Sequence, residues 1–319
     1  MTKIAVLDDY QNVALDLADW SAIQQRAQIQ VFNDTIADQD QLAARLQPFD
    51  VVCCMRERTP LRRALLERLP NLKLLVTTGM RNASIDMAAA AARGVTVCGT
   101  EGMSSPTVEL TWALILALSR RIPMEDANMR QGGWQHTLGT GLEGRVLGVI
   151  GLGRLGAMVG KIGLAFGMNV IAWSQNLTRE RCAELGVGYV ASKQALLTLA
   201  DIVTIHLVLS DRTRGLIGKA ELEAMKPTGY LVNTSRGPIV DEAALIAALE
   251  AQRIGGAALD VYDTEPLPED HPLRSLGNVV LSPHLGYVSA ENYARFYGHV
   301  VEDILGFLDG KPVRVIKAK

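Results

Sequence analysis

The 319-residue sequence predicts an α/β protein with two domains, each built on a parallel sheet. Short β-rich runs alternate with alanine- and leucine-rich helical runs almost throughout, a pattern typical of strands joined by helical crossovers. The strand candidate Leu72–Thr77 is apolar over most of its length, which indicates a sheet covered on both faces. A chain of this length exceeds one ordinary hydrophobic core, so two domains are expected.

The first third of the chain contains one alternating series. Helical patterns at Asp38–Leu46 and Leu61–Leu69 lie between its strand candidates. The predicted strands are Ile4–Leu7, Ile29–Phe32, Val51–Cys54, Leu72–Thr77 and Val95–Cys98.

From Pro106 onward the pattern changes and a second series begins. Thr107–Arg121 is predicted as one long helix, apolar around most of its girth, so we expect it to be buried between domains or in a subunit interface. A glycine-rich connector follows at Trp134–Gly144. Helices are predicted at Leu155–Phe166, Lys219–Met225 and Glu242–Ala251. The strands predicted in this series are Val146–Ile150, Val170–Trp173, Tyr189–Ala191, Ile202–Leu207, Tyr230–Asn233, Ala257–Val261 and Val279–Leu281.

The chain ends in a further helix, predicted at Ser289–Leu308, that could return to the first series. We therefore expect one domain at residues 104–286 and a smaller one at residues 1–103 completed by residues 287–319.

Composition excludes several classes of protein. The net charge of -2 gives no electrostatic case for nucleic acid or an anionic membrane. The N-terminus is a strand candidate and not a signal peptide, and the apolar run Leu110–Ser119 is shorter than the ~18 residues that a membrane span requires. The four cysteines have no metal-ligand spacing, so we predict reduced thiols, a cytoplasmic location and no metal site.

A glycine-rich loop opens the second series. The strand Val146–Ile150 runs into Gly151-Leu152-Gly153-Arg154-Leu155-Gly156, and a predicted helix follows. A GxGxxG motif in this context predicts a dinucleotide site. Gly151 allows the tight turn, Gly153 admits the pyrophosphate, and Gly156 lets the helix pack closely on the strand. The start of the helix offers free N–H groups to the phosphates.

The next strand does not end in the acidic residue that normally accepts hydrogen bonds from the adenosine ribose of NAD. Ser174 stands at that position. Ser174 and Asn176 could instead hydrogen-bond a 2′-phosphate, and Arg179 or Arg181 could pair with it. The sequence therefore leaves both NAD and NADP open as the cofactor.

Three polar segments follow buried strands of this series. They carry Arg236, then Asp260 and Glu265, then His284. Because the carboxyl ends of parallel strands share one edge of the sheet, we expect an arginine, a carboxylate and a histidine to converge beside the cofactor.

The segments around these residues are similar to those of a known enzyme family. "GLGRLG", "NTSRGPIVDEAALIAAL", "ALDVYDTEPLPEDHPL" and "VVLSPHLGYVSAE" resemble the signatures of the D-isomer-specific 2-hydroxyacid dehydrogenases, as do "LLVTTGMRNASID" and "SSPTVELTWALILALSR". The match runs in order over essentially the whole chain. It implies a Rossmann-type doubly wound sheet for the cofactor, a smaller flavodoxin-like α/β substrate domain and a homodimer.

The resemblance implies a catalytic set of Arg236, Glu265 and His284. Arg236 would bind the substrate carboxylate and polarise the 2-keto oxygen, since its planar fork suits carboxylates. His284 would exchange the proton of that oxygen. Glu265 would orient the imidazole and favour its charged form.

The resemblance also assigns binding residues. Asp260 would hold the nicotinamide carboxamide. The implied cofactor-binding residues are Gly151, Gly153, Arg154, Leu155, Gly156, Ser174, Thr107, His206, Thr234, Asp260 and Gly286. The implied substrate-binding residues are Thr78, Gly79, Met80 and Arg236, with the backbone N–H groups of Gly79 and Met80 on the substrate carboxylate.

Some residues depart from the family pattern. Arg81 and Asn82 replace small residues, Val208 stands where relatives carry proline, and Tyr287 follows Gly286 where small residues are common. Arg56 and Arg58 could face the substrate pocket and favour a phosphorylated or second-carboxylate substrate. Solvated surface charge is the alternative reading for at least one of them.

The function that the resemblance implies is an NAD(P)-dependent oxidoreductase that interconverts a small 2-keto acid and its D-2-hydroxy acid. Other functions remain open as alternatives. 3-Phosphoglycerate dehydrogenase, in a short form without a regulatory domain, and glyoxylate or hydroxypyruvate reductase are the named alternatives. Formate dehydrogenases are disfavoured because they pair their histidine with glutamine. A corepressor-like protein that only senses the nucleotide is the alternative from another class.

Overall fold

The structure, a computed structural model, describes residues 1–317. Its strands are β1 Thr2–Val6, β2 Ala27–Val31, β3 Val51–Cys54, β4 Leu74–Thr77, β5 Thr96–Gly99, β6 Val146–Ile150, β7 Asn169–Trp173, β8 Gly188–Tyr189, β9 Ile202–Ile205, β10 Tyr230–Asn233, β11 Gly256–Leu259 and β12 Val279–Leu281.

Helices connect these strands. They are α1 Ser21–Gln24, α2 Gln39–Leu46, α3 Arg63–Leu66, α4 Met87–Ala92, α5 Ser105–Ser119, α6 Ile122–Arg130, α7 Arg154–Ala165, α8 Arg179–Glu184, α9 Lys193–Leu199, α10 Lys219–Ala224, α11 Glu242–Glu250 and α12 Ala290–Leu308. Short 3-10 helices lie at Gly237–Ile239 and Pro272–Ser275.

The chain divides into two compact units. Unit 1 comprises Met1–Met103 and Val288–Lys319, and unit 2 comprises Ser104–Tyr287. The last residues of unit 1, 318 and 319, lie outside the described part.

Unit 1 is built on a parallel sheet of order β2-β1-β3-β4-β5. This is the flavodoxin-like order. One face packs against α2, α3 and α4, whose leucines and alanines meet Ala5, Val52, Leu75 and Val97. The helix α12 packs against β4, β5 and α1, and the ring centre of Tyr297 lies 6.5 Å from that of Trp20, which directly precedes α1. Both faces are covered, which explains why these strands are apolar nearly throughout.

Unit 2 is built on a parallel sheet of order β12-β11-β10-β9-β6-β7-β8. Counted within this unit, the first six strands have the doubly wound Rossmann order 3-2-1-4-5-6. The helices α9, α10 and α11 supply the core of one face, and α5 and α7 supply that of the other. The predicted fold class is confirmed in both units.

The helix predicted at Thr107–Arg121 differs from the expectation in its C-terminal end and in what buries it. It ends at Ser119, and α6 begins three residues later, after Arg121 takes a left-handed φ of 55°. Val108, Trp112 and Ile115 of α5 pack into the core of unit 2 against α7 and the sheet. The apolar girth of α5 is therefore explained by packing inside one unit.

Candidate active site

The glycine loop between β6 and α7 has the geometry that each glycine was predicted to provide. Gly151 takes a φ of +98°, and a Cβ there would lie 2.4 Å from the His206 carbonyl oxygen. A Cβ on Gly156 would lie 2.0 Å from the Gly151 carbonyl oxygen. A Cβ on Gly153 meets nothing within 4 Å, because it faces open space at the start of α7. The loop thus keeps room where a pyrophosphate would approach.

The start of α7 suits an anion. Its first turn carries no acidic side chain, and Arg154 is exposed there. The free N–H groups of a helix N-terminus and its dipole favour phosphate. This loop and helix fit a dinucleotide such as NAD or NADP.

Ser174 directly follows β7, and its carbonyl accepts a hydrogen bond from Leu177 N at 3.1 Å to form a turn. The two nearby arginines have partners already. The guanidinium of Arg179 lies 4.7 Å from the ring centre of Tyr189, and Arg181 forms a 2.8 Å ion pair with Glu184. A 2′-phosphate would have to draw one of them away from its partner.

Arg236 lies in a shaped turn after β10. Asn233 holds this turn, since its amide donates to Arg236 O at 2.9 Å and its Oδ1 accepts from Ser235 N at 3.0 Å. Gly237 packs so tightly on the next loop that a Cβ would lie 2.1 Å from the Tyr262 carbonyl carbon. The arginine loop and the loop that carries Glu265 are therefore in direct backbone contact.

Glu265 and His284 form the pair that the sequence predicted. Glu265 Oε2 lies 2.5 Å from His284 Nδ1, and Glu265 Oε1 accepts a hydrogen bond from Tyr262 N at 3.0 Å. The His284 side chain is half-buried at 18% exposure, and that of Glu265 is more open at 29%. One ring nitrogen is held by a carboxylate, so Nε2 is left to exchange a proton with a substrate.

Asp260 anchors the loop that carries His284, a role that sequence reasoning missed. Its Oδ1 accepts from Ser282 Oγ at 2.6 Å and from Leu285 N at 2.7 Å, and its Oδ2 accepts from Gly286 N at 2.8 Å. Burial raises the pKa of the Asp260 carboxyl, although these hydrogen bonds oppose the shift. The position after β11 marked Asp260 as a polar residue at the site, but nothing in the sequence showed which groups it binds.

Each of the remaining cofactor candidates has a hydrogen-bond partner within unit 2. Thr107 Oγ1 donates to Gly286 O at 2.7 Å, and Thr234 Oγ1 lies 2.9 Å from Thr111 Oγ1. His206 Nε2 lies 2.9 Å from Thr204 Oγ1, and burial lowers the pKa of His206 to about 4. His206 is therefore neutral at physiological pH.

The predicted substrate loop lies in unit 1. Thr78 is buried, and its hydroxyl accepts from Arg56 N at 2.9 Å. The Gly79 N–H donates to Thr100 Oγ1 at 2.9 Å, so this amide has a partner within the unit. Met80 is 43% exposed.

Arg56 and Arg58 are both half-buried and in contact with neighbouring loops, so neither is a fully solvated surface charge. Arg56 Nη1 lies 3.3 Å from Thr78 O, at the place where a Gly79 side chain would project. Arg58 donates to Asp8 O at 3.1 Å, and its guanidinium lies 4.6 Å from the ring centre of Tyr10. Arg58 therefore joins its own loop to the loop that follows β1, and Arg56 covers the backbone of the predicted substrate loop.

Comparison with known proteins gives a consistent result. Residues 112–286 match the family model described as "D-isomer specific 2-hydroxyacid dehydrogenase, NAD binding domain". The chain is 42% identical over 257 residues to a glyoxylate reductase of Aeropyrum pernix, which covers 77% of this chain and 76% of the relative. It is 35% identical over 306 residues to a D-3-phosphoglycerate dehydrogenase of Methanocaldococcus jannaschii, covering 95% of this chain but only 56% of that relative.

A solved structure agrees with this result. The phosphoglycerate oxidoreductase of Vibrio cholerae O395 superposes with a TM-score of 0.92 at 40% identity, covering 97% of this chain and all of that one. With the Rossmann unit and the Glu265–His284 pair, these matches show that the chain belongs to the D-isomer-specific 2-hydroxyacid dehydrogenase family, whose members are nicotinamide-dependent oxidoreductases.

Proposed function

We propose that this chain interconverts a small 2-keto acid and its D-2-hydroxy acid, with NADH or NADPH as the redox partner. The observation that carries the proposal is the 2.5 Å contact between Glu265 and His284 on the edge of a sheet that also carries the glycine loop. Such a pair is suited to general acid–base chemistry.

A bound nicotinamide supplies or accepts the hydride at C2 of the substrate. The glycine loop, Arg154 and Leu155 would hold the pyrophosphate, and Ser174 would contact the adenosine ribose. Residues near the strand ends would line the site of the nicotinamide half. These residues are Thr107, His206, Thr234, Asp260 and Gly286.

Charged side chains of unit 2 carry out the proton exchange and bind the substrate carboxylate. His284 Nε2 gives a proton to the 2-keto oxygen during reduction and removes it during oxidation. Glu265 holds Nδ1, which fixes the orientation of the ring. Arg236 binds the substrate carboxylate and polarises the carbonyl, since a guanidinium pairs with a carboxylate through parallel hydrogen bonds.

The substrate loop supports a preference within this class. Arg56 lies over the Gly79 backbone, so we propose that it pairs with a second anionic group on the substrate. This favours a phosphorylated or dicarboxylic keto acid and makes 3-phosphoglycerate dehydrogenase the second candidate function. Glyoxylate reductase is the first, because a relative of that name aligns over 76% of its own length.

A substrate panel tests the proposal. Purified chain is mixed with NADH or NADPH and with glyoxylate, hydroxypyruvate, pyruvate or phosphohydroxypyruvate, and nucleotide absorbance is followed. We expect turnover with at least one acid, and His284→Ala should lower it by about 100-fold or more. Tight nucleotide binding without turnover of any acid would favour a nucleotide sensor instead.

The Arg56→Leu variant separates the two candidate substrates. If Arg56 pairs with a second anionic group, kcat/KM for phosphohydroxypyruvate should fall by about 10-fold or more, while kcat/KM for glyoxylate changes little. Arg62→Leu is a matched control, since this exposed arginine of the same unit donates to Ala83 O. Equal losses for both acids would argue against selection by Arg56.

We propose that NAD and NADP are both accepted, because Ser174 supplies no carboxylate to repel a 2′-phosphate. Ser174→Asp should then raise the Kd for NADPH much more than that for NADH. Equal Kd values for the two nucleotides in this variant would contradict the assignment of Ser174.

We also propose a homodimer, in which the contact surface is the α6 arm, residues 122–138. None of the α6 residues is buried, and Glu125 attaches the connector to the helix by accepting from Thr137 and His136. Trp134 is 73% exposed and Leu138 is 94% exposed. An apolar surface of this kind is typical of a protein interface.

Light scattering tests the dimer. Trp134→Glu combined with Leu138→Glu should convert the dimer to a monomer. Leu199→Glu is the control, because Leu199 is a leucine of unit 2 that is 52% exposed but lies outside the α6 arm, and this variant should stay dimeric. A wild-type monomer, or a double variant that stays dimeric, would contradict the assignment of the arm.

We expect the protein to act in the cytoplasm. Its four cysteines, all within residues 1–317, are buried free thiols, and burial raises the pKa of Cys54 to about 12. Such thiols are compatible with a reducing compartment. Among the described residues, no helix is both long and apolar enough to cross a membrane.

A further inference from the structure

Tyr287 directly follows Gly286, three residues after His284, and has no part in the proposed proton or hydride transfer. Only 9% of this residue is exposed. Its ring centre lies 5.5 Å from that of the His284 imidazole, and the two planes meet at 74°. This edge-to-face arrangement is one that aromatic rings favour.

The spacing between these two residues is fixed by the backbone between them. Asp260 accepts hydrogen bonds from the N–H groups of both Leu285 and Gly286. A Cβ on Gly286 would lie only 3.1 Å from Asp260 Oδ2, so the fit of this turn is close. The ring of Tyr287 is therefore presented to the imidazole from an anchored turn.

The His284 imidazole has two contacts of different kinds, one with Glu265 and one with Tyr287. Glu265 holds one ring nitrogen, and a single hydrogen bond on one atom permits the ring to tilt about it. An aromatic ring packed against the imidazole restricts that tilt. The two contacts together fix the direction in which Nε2 points, which proton transfer requires.

We propose that Tyr287 is a positioning residue that holds the His284 imidazole in line for proton transfer, through its ring and not its hydroxyl. The proposal rests on the proposed function, in which His284 is the acid–base group. It gives a reason for an aromatic side chain directly after Gly286.

The experiment compares ring-deleting and ring-keeping variants. Tyr287→Leu and Tyr287→Met remove the ring, and Tyr287→Phe keeps it. Tyr230→Leu is the matched control, because Tyr230 is equally buried at 8% exposure but begins β10, at the opposite end of the strand from Arg236. Each variant is assayed with whichever of the four keto acids the wild-type chain reduces fastest. The readouts are kcat, KM, the solvent deuterium isotope effect on kcat, the nucleotide Kd and the melting temperature.

We expect kcat of Tyr287→Leu and Tyr287→Met to fall by about 10-fold, a moderate cost for a misplaced catalytic group. KM and nucleotide Kd should stay within about twofold, and the isotope effect should rise as proton transfer becomes rate-limiting. Tyr287→Phe should retain kcat within about twofold. Tyr230→Leu should leave the isotope effect unchanged.

Two results would overturn the inference: normal kcat and isotope effect in the ring-deleting variants that fold, or equal losses in Tyr287→Phe and Tyr287→Leu. The His284→Ala variant separates this failure from failure of the proposed function. If His284→Ala loses turnover and Tyr287→Leu does not, only the role of Tyr287 is wrong. If His284→Ala retains turnover, the acid–base assignment fails and the role of Tyr287 fails with it.

Discussion

At His284 the backbone takes a φ of 55°, a left-handed conformation that residues with a side chain seldom adopt. Hydrogen bonds around the corner offset this cost, since Asp260 accepts from the next two N–H groups and from Ser282 Oγ. Strain of this kind is often found where a side chain must be aimed at a reactive centre. In this conformation the imidazole reaches Glu265. The left-handed backbone at His284 and the Glu265–His284 pair therefore depend on each other.

The Glu265→Gln variant tests whether Glu265 Oε2 orients the His284 imidazole. Gln can still accept from Tyr262 N, but its amide NH2 then faces His284 Nδ1 and cannot accept a hydrogen bond from it. We expect kcat to fall by about 10- to 100-fold while nucleotide affinity is retained. Steady-state kinetics and nucleotide titration measure the two effects. A variant with wild-type kcat would show that the glutamate does not orient the imidazole.

At the scale of the element, the strand–loop–helix from β6 to α7 combines two kinds of glycine. Gly156 is required by the fold, since a side chain would collide with the Gly151 carbonyl 2.0 Å away. Gly153 is not required by the fold, because its side-chain direction is open. The same motif therefore contains one glycine for packing and one for the ligand.

A pair of alanine variants separates these requirements. Gly156→Ala should lower the free energy of unfolding by about 2–3 kcal/mol, because backbone must move to admit the methyl group. Gly153→Ala should leave the melting temperature nearly unchanged and raise the nucleotide Kd by about 10-fold or more, since the methyl group fills space needed by the pyrophosphate. Thermal unfolding and nucleotide titration distinguish them. Equal effects of the two variants on stability would refute the distinction.

The elements show which features the sequence could predict. Strand periodicity and the glycine spacing depend on neighbours in the chain, and the predicted strands from Ile4–Leu7 to Val279–Leu281 agree with the structure to within two or three residues at each end. The helix α6 was not predicted, because Pro123 and the polar residues after it give no apolar helical periodicity. None of the α6 side chains is buried in a core that would impose such a pattern. The contacts of Asp260 and Tyr287 were not predicted either, since they depend on which loops meet.

At the scale of the whole molecule, stability depends on a carboxylate that no sequence pattern distinguished. Asp303 lies on α12 with its side chain fully buried in unit 1. Arg314 Nε donates to its Oδ1 at 3.1 Å, and its Oδ2 has no hydrogen-bond partner among residues 1–317. Burial raises the pKa of Asp303 to about 7, although Arg314 opposes the shift. An unfolded aspartate titrates near pH 4.

This difference gives the direction of a pH effect. Between about pH 4 and pH 7 the folded chain binds a proton on Asp303 that the unfolded chain has released. Stability from this group is therefore complete below pH 4 and is lost as pH rises through 7. The loss should be about 2–4 kcal/mol. Carboxylates whose pKa is lowered, such as Asp50 and Asp201, change stability below this window.

The Asp303→Asn variant tests the effect across the whole chain. Asparagine can keep the bond from Arg314 without a charge to bury, so the variant should be more stable than wild type at pH 8 and similar at pH 5. Urea unfolding at pH 5, 6, 7 and 8 measures the difference. Glu302→Gln is the matched control, because this neighbouring carboxylate also pairs with Arg314 but is 60% exposed, and its effect should not vary with pH in the same way. A constant difference between Asp303→Asn and wild type from pH 5 to 8 would mean that Asp303 titrates normally and that the charged carboxylate is accommodated by Arg314.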